Sequence, residues 1–151
     1  MASPDARECS IARTLELIGE KWSLLAIREL MLGSTRFDQI VRFTGAPRDV
    51  LTARLRKLEE AEFIERNKYQ DRPERYEYHL TDRGKSLLPI ITVLRDWGDR
   101  NLARPEGPPM PFEHTCGEAL HPTLACSACG APIRWGEVTA LPHPGSRAAA
   151  E

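Results

Sequence analysis

The chain has 151 residues, 41% hydrophobic and 28% charged, enough apolar material for a buried core and too much for wholesale disorder. No apolar run approaches the ~20 residues that cross a bilayer as a helix, and no basic segment followed by an apolar one opens the sequence, so neither a membrane partner nor a secretory leader is expected. The formal charge of −1 speaks against a nucleic-acid partner only while the chain is taken as a whole.

From the N-terminus, Ile11, Leu15, Ile18, Trp22 and Leu25 recur at helical spacing, and Gly19 divides them between two helices. The second of these, WSLLAIRELMLG, reads as a buried helix ending at Gly33. STRFDQIVRFTG follows as a short helix opened by Ser34 or Thr35, with Asp38 as its capping-box partner. Behind Gly45, Pro47 suits the first position of a further helix, APRDVLTARLRKLEEAEFI, whose apolar stripe is Leu51, Leu55 and Leu58. FIERNKY and YEYHL are rich in aromatic and β-branched residues and flank QDRPER, which predicts a two-stranded ribbon. Thr81 then caps a long amphipathic helix, DRGKSLLPIITVLRDWGDRNLA, bent at Pro89.

At Arg104 the composition changes. Residues 1–104 carry 19 Lys and Arg against 17 Asp and Glu, whereas residues 105–151 carry 2 against 5. Eight of the 12 Pro, three of the four Cys and three of the four His also lie after this point. The expected organisation is a folded domain over 9–104, a Pro-rich linker over 105–113, a Cys/His tail over 114–138 and a disordered end over 139–151. Four Cys without a leader favour thiol or metal chemistry in the cytoplasm over a disulfide framework.

A short helix, a Gly-containing turn, a second helix and a β-ribbon make the pattern of a winged helix-turn-helix, mostly α with a small β-ribbon. With Leu51, Leu55 and Leu58 inward, the far face of the second helix carries Asp49, Ala53, Arg56 and Glu60, flanked by Thr52 and Lys57. Arg48 or Arg56 can hold guanine bidentately, Thr52 can bond to base or phosphate, and Ala53 can touch a thymine methyl. Arg54, nearer the core edge, suits phosphate positioning. Lys68, Arg72 and Arg75, with Asn67, concentrate positive charge at the hairpin, which Pro73 stiffens. A solvated Arg56–Glu60 pair and a solvated turn are the plain alternatives.

The stretch from Cys9 to about Leu102 resembles the HxlR-type transcriptional regulators, a branch of the winged-helix MarR-like proteins. The residues that carry the likeness are LIGEKW, the RFDQI helix, LTARLRKLEE and RYEYHLTDRG ahead of a helix. The resemblance implies a dimeric repressor or activator whose first helix and long helix from Asp82 form the dimer interface. Leu87, Leu88, Ile91, Leu94 and Trp97 give that long helix more apolar surface than one face needs, in agreement. A two-fold dimer would present its recognition helices ~34 Å apart to a pseudo-palindromic double-stranded operator. Family members often carry a Cys where Cys9 stands, usually followed by Pro, and some use it to sense electrophiles or oxidants; here Ser10 follows. A helix N-terminus with Arg7 and Arg13 favours a thiolate at Cys9, Glu8 opposes it, and an idle Cys is the alternative. The expected effector is accordingly an oxidant, an electrophile or a small ligand.

The tail, HTCGEALHPTLACSACG, has metal-ligand spacing. Cys126 and Cys129 before Gly130 have the form of a zinc knuckle, and His114 with Cys116 completes a four-ligand structural zinc site, His121 being a substitute. A CxxC redox pair and idle thiols remain open. No nucleophile triad or paired carboxylates appear, so enzymatic activity is not expected. The competing functions are a zinc-containing interaction adaptor and a thiol oxidoreductase.

Overall fold

The computed structural model of the protein describes residues 9–141. Arg7 and Glu8, and most of the end expected to be disordered, lie outside the described residues. The chain falls into two compact units, Met1–Arg95 and Asp96–Glu151.

The first unit opens with α1 (Ser10–Ile18), α2 (Lys21–Met31), α3 (Phe37–Thr44) and α4 (Arg48–Glu60). An antiparallel pair follows, β1 (Ile64–Asp71) and β2 (Glu74–Leu80), then the single-turn α5 (Asp82–Lys85) and α6 (Leu88–Asn101), through which the cut between the units passes. The core is built where the helical stripes meet: Ala26, Ile27 and Leu30 of α2, Ile40 of α3, and Leu51, Leu55 and Leu58 of α4, closed by Phe63, Ile64 and Leu87. Each of the three α4 leucines is at most 1% exposed, a burial that stabilises by about 1.5–3 kcal/mol per side chain. On α1, Ile18 is buried in this core and Leu17 packs against it. Ile11 and Leu15, on the same sequence period, stay exposed.

Helix ends differ from the sequence expectation in three places. Neither Ser34 nor Thr35 caps α3, because both are engaged elsewhere. The Ser34 N–H donates to the Glu29 carbonyl at 2.9 Å and its hydroxyl to Glu29 Oε2 at 3.3 Å, while the Thr35 carbonyl accepts from the Tyr78 N–H of β2 at 2.8 Å. The helix instead starts behind Arg36, whose N–H donates to Gln39 Oε1 at 3.1 Å, and Asp38 pairs with Arg48. Pro47 precedes α4 in extended conformation and does not form its first turn. The expected long helix bent at Pro89 is two helices. Thr81 Oγ1 accepts from the Gly84 N–H at 3.1 Å to cap α5, Leu87 turns into the core, and Pro89 falls in the first turn of α6, where its missing N–H costs nothing.

The ribbon pairs Ile64 with Leu80 through to Asp71 with Glu74, with a register shift between Lys68 and Gln70. Its strands run further than the sequence suggested, leaving only Arg72 and Pro73 at the tip. Gly45 ends α3 in the left-handed region (φ +72°), the conformation that a glycine adopts without strain.

In the second unit, Asp96 is buried and takes an ion pair from Arg100, with His121 Nδ1 3.4 Å from its other oxygen. Beyond α6 the described residues form two tight hairpins, marked by the isolated bridges Glu113–Ala119 and Ala125–Pro132. Among the described residues no helix is long and apolar enough to cross a membrane.

Candidate nucleic-acid interface

The geometry of α4 follows from its own period. Burying Leu51, Leu55 and Leu58 turns Asp49, Thr52, Ala53, Arg56 and Glu60 to solvent, and all five are exposed. Arg48 stands at the exposed N-terminal end, where it bonds Asp38 Oδ1 at 2.8 Å and lies 4.9 Å from the Phe37 ring centre. Arg56 pairs with Glu60 one turn on, at 3.2 Å. Both pairs are solvent-screened and weak, so a phosphate or guanine can displace either carboxylate. The Thr52 hydroxyl donates to the Arg48 carbonyl at 2.8 Å and keeps its acceptor side outward.

Two of the cations picked out in the sequence have other occupations. Arg54 pairs with Glu20 at the start of α2, and Lys57 Nζ donates to the Glu16 carbonyl in the last turn of α1 at 2.5 Å. They fasten α4 to the two helices behind it.

At the ribbon, Arg72 and Arg75 are exposed and take no ion pair from any described residue. Lys68 is different: Glu74 Oε1 lies 2.6 Å from its ammonium and Asp71 3.6 Å. Hydrogen bonds from Lys68 and then Tyr76 hold the Glu74 carboxyl below its usual range, and the same contact with Glu74 raises Lys68. The positive charge of the tip therefore rests on the two arginines.

Two exposed cations near this surface escaped the sequence reading. Arg36 spans from α3 to the ribbon, bonding Glu77 Oε1 at 3.3 Å with its guanidinium 5.0 Å from the Tyr69 ring centre. Arg42 lies on the exposed side of α3 beside Phe43. The signal for Arg42 was present, since two residues beyond the inward Ile40 is the opposite face of a helix. No local pattern announces Arg36, whose partner is 41 residues away.

The sulfur residues lie elsewhere. Cys9 is the exposed N-cap of α1. In the tail, His114 Nδ1 is 3.2 Å from Cys116 Sγ, and Cys126 Sγ accepts the backbone N–H groups of Ala128 and Cys129 together with the Cys129 thiol, which holds the Cys126 thiol below its ordinary range. Among the described residues no three His, Cys, Asp or Glu side chains gather as a metal centre.

Residues 17–106 match the HxlR-like helix-turn-helix family. An uncharacterised HTH-type transcriptional regulator of Mycobacterium bovis is 48% identical over 140 residues, spanning 92% of this chain and 89% of its own length, so its likeness continues into the tail. The crystal structure of a candidate transcription factor, PA1607, superposes with a TM-score of 0.77 at 28% identity, over 89% of this chain and 94% of its own. The redox regulator HypR in its reduced form superposes with a TM-score of 0.58 at 31% identity, over 63% of this chain and 95% of its own. With its two-helix element, exposed second helix and cationic wing, this chain belongs to the HxlR-like helix-turn-helix family of DNA-binding transcriptional regulators.

Proposed function

We propose that the protein acts as a homodimer that seats α4 of each copy in successive major grooves of a pseudo-palindromic operator. One observation carries the reading of the DNA surface: the exposed face of α4 opposite its three buried leucines offers Arg48, Thr52, Ala53 and Arg56 as one strip. Arg48 and Arg56 are the guanine readers, Ala53 the thymine-methyl contact, and Arg72 and Arg75 grip phosphate on either side of the wing. Arg54 and Lys57 hold the helix at its angle. The dimer is supported by Ile11 and Leu15 of α1 and by Leu88, Ile90, Leu94 and Trp97 of α6, all more than half exposed and apolar. Footprinting on the DNA flanking its own gene should reveal a two-fold protected site. A chain that shifts no such fragment at low salt would instead suit an adaptor or a thiol oxidoreductase.

Cys9 is the candidate sensor within this reading, supported by its exposure at the α1 N-terminus and by the likeness to a redox regulator. A hydroperoxide would convert its thiolate to the sulfenic acid, releasing water or an alcohol. Peroxide should then release the wild type from DNA and leave Cys9→Ser bound; release of both removes Cys9 from the response.

A further inference from the structure

The tail builds one device twice. In the first hairpin His114 follows the paired residue Glu113, Cys116 lies in the turn and Gly117 closes it at φ +91°. In the second, Cys126 follows the paired residue Ala125, Cys129 lies in the turn and Gly130 closes it at φ +72°. The backbone bonds correspond. His114 N–H donates to the Glu118 carbonyl and Cys126 N–H to the Ala131 carbonyl, both at 2.9 Å. Gly117 N–H returns to the His114 carbonyl at 2.9 Å and Gly130 N–H to the Cys126 carbonyl at 2.7 Å. The first turn is simply one residue shorter.

Each turn brings two soft donor atoms together. The 3.2 Å between His114 Nδ1 and Cys116 Sγ is within a few tenths of the ~3.6 Å that separates N and S ligands across a tetrahedral zinc. In the other turn the Ala128 and Cys129 N–H groups point at Cys126 Sγ, as a metal-bound thiolate requires. A separate observation concerns what holds these turns. None of residues 102–141 is buried, and Leu124, Ile133 and Trp135 are at least half exposed. Two well-formed turns without an apolar core are what a metal-stapled module looks like.

We propose that His114, Cys116, Cys126 and Cys129 are the four ligands of one structural Zn2+, and that the ion joins two preformed half-sites into a zinc ribbon. Three thiols and an imidazole exclude Mg2+ and Ca2+, which take oxygen ligands, and four protein ligands leave no open position for chemistry. Binding forms three Zn–S bonds and one Zn–N bond and releases the three thiol protons to solvent; no electron moves.

Full-length protein purified in the presence of zinc should contain one ion per chain, and its Co2+ form should show tetrahedral bands with the sulfur charge-transfer intensity of three thiolates. Cys116→Ser should lower that intensity to two thiolates, and His114→Ala and Cys126→Ser should each weaken zinc at least about tenfold. Chelation should speed proteolysis beyond residue 104 while leaving the winged helix protected. Three results would overturn the proposal: zinc well below one per chain, half an ion per chain shared between copies, or undiminished zinc affinity in His114→Ala and Cys116→Ser. The last would leave a bare CxxC dithiol. Operator binding by the same variants shows that they are folded, independently of the metal result.

Discussion

At the scale of single residues, the proposed DNA surface assigns Arg56 to base readout and Arg72 to phosphate. Arg56 faces out from the middle of α4, whereas Arg72 stands at the tip of the ribbon. Replacing Arg56 with Ala should cost about 1–3 kcal/mol on the best operator and relax preference at one base position. Replacing Arg72 should weaken every sequence alike and lower the salt slope by about 1. Titrations of both variants against a set of singly substituted operators, at several salt concentrations, check this; identical behaviour would remove the assignment. Glu74 supplies a complementary test. Its carboxyl, held low by Lys68 and Tyr76, is charged above its unfolded pKa, and the ion pair it makes is lost as pH falls through the lowered folded value. Glu74→Gln leaves the Lys68 ammonium only the longer contact with Asp71, so non-specific DNA affinity should rise and the salt slope should steepen by up to about 1. Filter-binding at neutral pH on random-sequence DNA measures both.

At the scale of elements, much was legible and the reasons for the exceptions are local. Leu51, Leu55 and Leu58 declared the inward face of α4 because helical period alone decides which side is buried. Gly45 announced the end of α3 for a similar reason, its left-handed backbone being residue-specific. The cap of α3 was illegible because Ser34 is spent on Glu29 and Thr35 on the ribbon, partners that sequence proximity does not reveal. The break before α6 was equally hidden. At Gly84, within α5, an added Cβ would lie 2.1 Å from the Phe63 carbonyl oxygen, so α5 packs closely on the residue ahead of β1, a contact no local pattern announces. Gly84→Ala should destabilise the domain by about 1–3 kcal/mol, measured by urea unfolding, with the wing the first region to lose amide protection. Unchanged stability would mean that α5 can shift without cost.

At the scale of the whole molecule, the net charge and the hydrophobic fraction concealed a division of labour. The positive charge of the proposed DNA surface is local, on Arg48, Arg56, Arg72 and Arg75, and the acidic excess lies in the tail. Of the surplus apolar residues read on the long helix, Leu87 and Ile91 go to the core, while Leu94 is left 52% exposed, as is Leu15 of α1 at 53%, a surface that suits the proposed dimer. Leu94→Asp, which replaces an already exposed side chain, should change monomer stability little and shift sedimentation from dimer to monomer. Operator affinity should fall steeply with it, because each half-site then binds alone. A variant that remains dimeric moves the interface elsewhere.

The clasp of Lys57 on the Glu16 carbonyl and of Arg54 on Glu20 ties the recognition helix to the helices behind it, one of which carries the apolar face assigned to the partner. In the proposed dimer, orientation in the groove and subunit pairing are then settings of a single rigid part, so its two copies of α4 would keep a fixed pitch and phase. Such a protein is a gauge of length as much as a reader of letters. One extra base pair between half-sites, a step of about 3.4 Å with a rotation of roughly a tenth of a turn, should abolish binding more thoroughly than a wrong base within either half.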